Sequence, residues 1–230
     1  MIFNFPAFIH LIFIGFIALF PVINPLGSAF IVSPYFSGLN RQERLNAIKR
    51  ISLYAFSICL FTLIIGHWIL QLFGITIPII QLAGGILICK TGWEFLSPQK
   101  QDPTEVIPTD AQYLSHELEN KLFFPITFPI TTGAGTIAVL FTLSAHGASK
   151  NISQYLINNS AIMIAVSALC VLVFICYLNA NRLIQYLGSQ REKIINSIMA
   201  FLIFCVGLQI AVEGITQLIL QIIKALHQAN

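Results

Sequence analysis

Charged side chains are scarce in this sequence: only 9% of the 230 residues are Asp, Glu, Lys or Arg, while 57% are hydrophobic. A soluble domain carries about 25% charged residues. The chain therefore has too little polar surface to cover a water-soluble globule, and it must use lipid as part of its solvent. Because the hydropathy continues along the whole length, we interpret residues 1–230 as a single all-α membrane domain.

The sequence also lacks the short motifs of common catalytic and metal sites. It contains no HExxH, GxSxG, CxxC or Walker A pattern, and its five cysteines all lie inside apolar segments. Eleven of the twelve basic residues lie outside the apolar runs or at the end of one, and they are not gathered in one patch. We therefore expect no enzyme activity, no cofactor, no metal ion and no nucleic-acid partner.

Six apolar stretches reach the length of about 20 residues that a spanning helix needs. They cover approximately residues 7–33, 50–73, 75–97, 122–146, 155–179 and 195–222. The N-terminal run has no basic start and continues past Pro25, so we expect it to be the first span rather than a signal peptide. The longest polar stretch, residues 98–121, predicts a cytoplasmic linker between a first half (1–97) and a second half (122–230).

Basic residues in the loops predict the orientation of the chain. The first, third and fifth loops hold Arg41, Arg44, Lys49, Arg50, Lys100, Lys121, Arg182, Arg191 and Lys193, whereas the opposite side holds only Lys150 and Lys224. These three loops should face the cytoplasm. Both termini should then lie outside, which for a bacterial protein means the periplasm.

One phrase occurs twice, once in each half. Residues 20–28 read FPVINPLGS and residues 128–136 read FPITTGAGT, so Phe-Pro and a later glycine coincide without a gap. Each copy places helix breakers inside a long apolar run. Matched breaks in two halves are typical of the substrate site of a membrane transporter.

The third spans of the halves match as well. Residues 79–81 (IIQ) align with residues 194–196 (IIN), and Gly92 then meets Gly207. With three spans in each half, the second half starts on the opposite side of the membrane. The sequence therefore predicts two inverted three-helix repeats, with helices 1 and 4 broken.

Each break predicts a helix that stops and restarts near the middle of the membrane. Asn24-Pro25 resembles a helix start, and Thr132 takes the place of Asn24 as a cap in the second copy. A restarted helix presents free N–H groups and the positive end of its dipole. The expected substrate-binding residues are Asn24, Pro25, Gly27, Ser28, Thr131, Thr132, Gly133, Gly135 and Thr136. The alternative is that both breaks are ordinary kinks at which small residues let helices pack closely.

These elements resemble the MarC family of bacterial inner-membrane proteins, also called UPF0056 or the neutral amino acid transporter family. The resemblance covers the whole chain and is carried by Asn24, Pro25 and Gly27 in the first element and by Gly133 and Gly135 in the second. It implies six spans and the carriage of small neutral amino acids, with export as the direction in similar families. The family usually has proline between the two glycines, whereas this chain has Ala134, which implies a softer second break.

Three charged residues within the spans are possible coupling residues. Lys90 and Glu94 are four residues apart on one helix face, and Glu213 lies near the outer end of the last span. Residues near the ends of spans can also be explained by contact with the membrane interface alone, without any function.

Three classes of function are consistent with a polytopic chain. The first is a secondary transporter of a small solute, driven by a proton or sodium gradient. The second is a channel-like facilitator without ion coupling, since Asn-Pro half-helices also build pores. The third, a membrane enzyme, requires a nucleophile with a base or a metal cluster, and the sequence offers neither.

Overall fold

The computed structural model describes residues 5–36, 38–97, 121–146 and 152–229, and the regular structure in these ranges is helical throughout. In chain order the helices are α1 (Phe5–Ile23), α2 (Pro25–Val32), α3 (Arg41–Phe73), α4 (Ile77–Leu96), α5 (Leu122–Thr131), α6 (Ala134–His146) and α7 (Ile152–Ala229). A 3-10 turn, Ser33–Phe36, follows α2. The predicted all-α fold is confirmed.

Local sequence signals set the ends of α3. Asn40 and Glu43 form a reciprocal capping box at its start, with Asn40 Oδ1 accepting from the Glu43 N–H at 2.9 Å. At its end Gly74 adopts the left-handed conformation (φ 63°), which is unfavourable for most residues that have a side chain. A short turn then leads into α4, at the gap between the predicted stretches 50–73 and 75–97.

The described helices are long and apolar enough for a multi-pass membrane protein. Five helical stretches qualify as spans, and the bent pair α5–α6 gives a sixth if it is counted as one span. The first qualifying stretch runs through Phe5–Phe36, so the N-terminal run has the properties expected of a span. Residues 98–120 of the predicted linker lie outside the described residues.

Helix α7 folds back on itself between two apolar arms, Ser153–Ile184 and Ile194–His227. If α7 were straight, Ala165 and Phe204 would be about 60 Å apart. Instead, Ala165 packs on Gly15 in α1, and Cys89 in α4 reaches the Phe204 carbonyl at 3.5 Å. Gly135 of α6 packs between α1 and α4. Because the first arm packs on α1 and the second on α4, the two arms lie close together.

The contacts give the directions of the packed helices. The first arm runs parallel to α1 and α2, since Gly15 packs on Ala165 and Ser33 bonds with Asn181. The second arm runs antiparallel to α4, since Gly92 packs near Ala200 and Gly85 near Ala211. Glycines allow this close approach of backbones, which is the main source of helix association in lipid.

The surface of the bundle is apolar. Large hydrophobic side chains point outward from the spans, among them Phe13, Ile17, Phe61, Ile86 and Val171, each more than half exposed. Water would make such a surface costly, whereas hydrocarbon suits it. The polar side chains that are buried lie mainly at the two breaks.

Candidate functional site: two adjoining helix breaks

The first break is a one-residue interruption between α1 and α2. Asn24 has φ 45° and ψ 64°, a left-handed conformation that Asn tolerates better than most residues. Its Oδ1 accepts from the Gly27 N–H at 3.1 Å, so Asn24 caps α2, with Pro25 at the first helical position. A side chain on Gly27 would collide with the Asn24 amide, so the cap requires glycine there.

The polar groups of the first break are satisfied locally. The Asn24 N–H bonds to the Phe20 carbonyl at 2.9 Å, and the Ser28 N–H bonds to the Asn24 carbonyl at 2.9 Å. The Ser28 hydroxyl donates to the same Asn24 carbonyl at 2.8 Å. The helix therefore continues across the break with little loss of hydrogen bonding.

The second break is larger. Helices α5 and α6 meet at a bend of 62°. Within α5, Phe124 (φ −123°, ψ 124°) and Phe128 (φ −119°, ψ 121°) are extended, because a following proline disfavours the helical conformation of the residue before it. Both Phe-Pro peptide bonds are cis.

Three hydrogen bonds within α5 and at its end span five residues. The Thr127 hydroxyl donates to the Leu122 carbonyl at 2.6 Å, the Thr131 hydroxyl donates to the Ile126 carbonyl at 2.7 Å, and the Thr132 N–H bonds to the Thr127 carbonyl at 2.8 Å. Only the last of these is a backbone bond of the π type, and such bonds are frequent at functional sites.

The predicted cap at Thr132 is wrong. Helix α6 begins at Ala134, and the Thr132 hydroxyl makes no hydrogen bond although it is only 1% exposed. The distortion of α5 by Pro125 and Pro129 shifts the restart beyond the position of the first copy. The Thr136 hydroxyl, 0% exposed, is likewise without a hydrogen-bond partner.

The two breaks adjoin each other inside the bundle. A Cβ built on Gly135 would lie 3.1 Å from Cγ1 of Val22 in α1 and 2.7 Å from Cγ1 of Ile88 in α4. The second link is Tyr177 on the first arm of α7, whose hydroxyl lies 2.8 Å from the Thr131 hydroxyl in the second break. The same arm bonds through Asn181 to Ser33, which directly follows α2. Breaks that are 108 residues apart in the sequence thus form one polar region.

The predicted binding residues have different degrees of burial. Asn24, Ser28, Thr131, Thr132 and Thr136 are at most 7% exposed. Pro25 and Gly27 are also buried, whereas Gly133 and Gly135 are partly exposed. The structure therefore brings all nine predicted residues to the two breaks, with the hydroxyls on the inside.

One buried residue at this region, Tyr177, was missed by the sequence-based reasoning. Tyr177 is 0% exposed, although a tyrosine near the cytoplasmic end of a span is typical of the membrane interface. Gln81 in α4 is 4% exposed, and its side-chain oxygen has no hydrogen-bond partner. A lone tyrosine gives no sequence signal that separates these two environments.

The three possible coupling residues do not join the breaks. Lys90 and Glu94 form an ion pair with each other at 3.7 Å, with side chains 71% and 58% exposed. Glu213 is exposed and accepts a hydrogen bond from Gln217 at 2.8 Å. Each of these bonds therefore runs along the exposed surface of a single helix.

The chemistry of the region is that of uncharged donors and acceptors. Within the described ranges, no three His, Cys, Asp or Glu side chains lie together as metal ligands would. Hydroxyls and helix-start N–H groups are suited to a small solute that carries a carboxylate or another polar oxygen.

Comparisons with known proteins agree with the membrane fold. The model of the MarC family, described as integral membrane protein, matches residues 9–219. The UPF0056 inner membrane protein MarC of Salmonella paratyphi A is 27% identical over 219 residues, covering 93% of this chain and 96% of the relative. The proteins of the same name from Citrobacter koseri and Escherichia coli O139:H28 are 29% and 28% identical, with the same coverage.

No solved structure matches this chain. The family match nevertheless spans nearly all of the sequence, and the curated relatives named inner membrane protein are matched over almost their full length. The chain is thus a multi-pass inner-membrane protein, and it belongs to the MarC family.

Proposed function

We propose that this chain is a secondary transporter of a small solute, a neutral amino acid, which binds between the two broken helices. The observation that carries the proposal is the pair of buried hydroxyls, Thr132 and Thr136, that make no hydrogen bond where the breaks adjoin. A buried polar group without a partner costs about 1–3 kcal/mol. A solute that bonds to these hydroxyls would remove this cost.

The chemistry of the second break favours a carboxylate. The first N–H groups of α6 have no intrahelical partner, and the dipole of the helix makes this end electropositive. Thr136 lies in this first turn, and Thr132 lies just before it. A carboxylate at this point would accept hydrogen bonds from both hydroxyls and from the backbone.

The charge balance of the site favours a solute that is neutral overall. None of the nine residues predicted to bind the solute has a charged side chain. A net charge without a counter-charge would be expensive at this depth. A neutral amino acid carries one charge of each sign and meets this condition.

The inverted repeat is part of the proposal, and it is supported by paired contacts between α4 and the second arm of α7. A Cβ built on Gly92 would lie 2.6 Å from the Phe204 nitrogen and 2.9 Å from the Ala200 oxygen. A Cβ built on Gly207 would lie 2.6 Å from the Cys89 nitrogen and 2.8 Å from the Gly85 oxygen.

The sequence match of the third spans converts the contacts of Gly92 into those of Gly207, and the reverse. That match equates Gly92 with Gly207, and by the same offset it equates Gly85 with Ala200 and Cys89 with Phe204. Each contact therefore has its counterpart with the two halves interchanged, as a two-fold axis in the membrane plane requires. Broken helices 1 and 4 would then enter the site from opposite sides.

The orientation follows from the basic loops. With nine basic residues on one side and two on the other, we place both termini in the periplasm. Rocking of the halves would expose the site to each side in turn, driven by a proton or sodium gradient. The partners proposed are the solute, the coupling ion and the lipid bilayer, with no catalytic step.

Counterflow in proteoliposomes tests this function. Purified protein is loaded with an unlabelled neutral amino acid, and uptake of the labelled form is followed with and without an ion gradient. We expect saturable counterflow for at least one neutral amino acid and stimulation of net transport by the gradient. Uptake that neither saturates nor responds to the gradient would instead support a channel-like facilitator.

Two substitutions test the site within the same assay. Thr132→Val and Thr136→Val remove hydroxyls that have no partner, so we expect unchanged or higher thermal stability but a KM raised by about 10- to 100-fold. The matched control is Thr127→Val, which removes an equally buried hydroxyl that is bonded to the Leu122 carbonyl. This control should lower stability by about 1 kcal/mol and leave KM unchanged. Normal KM values in both test variants would place the solute elsewhere.

A further inference from the structure

Tyr177 lies between the two breaks, on the first arm of α7. Its hydroxyl is 2.8 Å from the Thr131 hydroxyl in the second break. Its neighbour in the first break is Ser28, because the packing of α1 and α2 on the first arm sets the residues of α2 level with those just before Asn181. The parallel packing supports this placement, because Gly15 packs on Ala165 before it and Ser33 bonds with Asn181 after it.

Two of the three hydroxyl protons are already used in bonds to the backbone. Thr131 uses its proton to bond to the Ile126 carbonyl, and Ser28 uses its proton to bond to the Asn24 carbonyl. Both oxygens can therefore only accept from Tyr177. A phenolic hydroxyl has one proton, so it can donate to one of these oxygens at a time.

We propose that Tyr177 is a positioning residue that holds the two breaks together by donating its single proton alternately to Thr131 and to Ser28. Thr131 is its partner in the state described, and Ser28 is the alternative. The inference deepens the proposed function, because the contact closes the same site in which the solute would bind.

The surroundings fix the ring and leave the proton free to rotate. The ring packs against Phe36, with 6.4 Å between centroids. Nη2 of Arg44 donates to the carbonyls of Tyr177 and Leu178 at 3.0 and 3.1 Å, and its guanidinium lies over the Phe36 ring. Helix α3 thus anchors the backbone beside the hydroxyl, so a change of partner needs only a rotation of the O–H bond or a small movement of one break.

If the proton alternates, the two acceptors can replace each other. If one acceptor is removed, the tyrosine proton can still bond to the other, and the breaks stay joined. Only the loss of both acceptors, or of the tyrosine hydroxyl itself, should separate them. A tyrosine that merely filled space would show no such dependence, since phenylalanine keeps the ring.

Hydrogen–deuterium exchange of the full chain in nanodiscs, without solute, tests the proposal. Peptides covering residues 24–30 and 131–137 are followed in Tyr177→Phe, Ser28→Ala, Thr131→Val and the double variant Ser28→Ala/Thr131→Val. We expect Tyr177→Phe to speed exchange in both peptides by about tenfold, the size expected for one buried hydrogen bond. Each single acceptor variant should stay within about threefold, and the double variant should match Tyr177→Phe.

The controls separate the contact from general loosening. Thr127→Val removes a backbone-directed hydroxyl bond of the same kind in α5, and Tyr54→Phe removes a phenolic hydroxyl from α3, whose ring packs on Phe123. Neither should speed exchange at residues 24–30. The proposal is overturned by unchanged exchange in a folded Tyr177→Phe variant, or by a double variant equal to the sum of its two singles.

The acceptor variants keep the test decisive if Tyr177→Phe does not fold, because their synergy is measured without it. The readout needs no transported solute. A failure of counterflow would therefore count against the proposed function alone, and a lack of synergy against the alternation alone.

Discussion

The two helix breaks begin from nearly the same sequence frame but have different structures. The first is a one-residue interruption in which Asn24 caps α2 and the Ser28 hydroxyl bonds to the backbone. The second bends by 62° and leaves Thr132 and Thr136 without hydrogen bonds. The first break is thus complete by itself, whereas the second has polar groups that a bound solute would satisfy.

The positions of the prolines explain this difference. In the first copy the prolines are Pro21 and Pro25, so one lies before the break and the other begins the new helix. In the second copy both prolines, Pro125 and Pro129, come before the break, and each makes its preceding phenylalanine extended. Relative to the aligned phrase, the two prolines of the second copy lie one helical turn earlier than those of the first. The first copy forms a capped interruption, and the second forms a bend.

The largest effect is expected at the point where the breaks adjoin. Gly135→Leu places a side chain against Val22 and Ile88, so we expect it to abolish counterflow. The matched control is Ala134→Leu, one residue earlier in the same turn, where the side chain is exposed. Transport by Gly135→Leu at the rate of the control would contradict the close approach of the two breaks.

A second comparison separates the cap of the first break from its left-handed backbone. Asn24→Ala loses the cap and also places alanine at φ 45°, so we expect a loss of about 2 kcal/mol of stability together with loss of transport. Asn24→Gly loses only the cap and should be more stable than Asn24→Ala by about 1 kcal/mol. Thermal unfolding in detergent measures the difference, and equal stabilities would show that the backbone conformation is not what Asn24 supplies.

The smallest effect is expected at the exposed ion pair. Lys90 and Glu94 face outward, and an exposed pair four residues apart on a helix contributes about 0.3–0.5 kcal/mol. Lys90→Gln/Glu94→Gln should therefore fold and transport with an unchanged response to the ion gradient. If this variant exchanges solute but loses the response to the gradient, the pair couples transport to the ion after all.

The sequence predicted much of this fold because its signals are local. Hydropathy gave the helical membrane fold, Gly74 marked the turn between α3 and α4, and Asn24-Pro25 marked the restart of a helix. The nine residues predicted to bind substrate do lie at the two breaks, because both copies of the repeated phrase contain helix breakers.

The features that the sequence did not predict depend on contacts between distant parts of the chain, which no local pattern encodes. The prediction that Thr132 caps the restarted helix was wrong because Pro125 and Pro129 distort α5. The alignment with the first copy gave no sign of this distortion. Tyr177 was missed because its burial results from the packing of α7 against α2 and α5. The outward orientation of Glu94 likewise depends on the rotation of α4 within the bundle, which periodicity in a uniformly apolar span does not determine.

The most direct test of a shared solute site is hydrogen–deuterium exchange in nanodiscs with and without an amino acid that the protein transports in counterflow. The account predicts that the solute slows exchange in the peptides covering residues 24–30 and 131–137 together, at the same half-saturating concentration. Protection of only one of these peptides, or of neither, by a solute that is transported would contradict it.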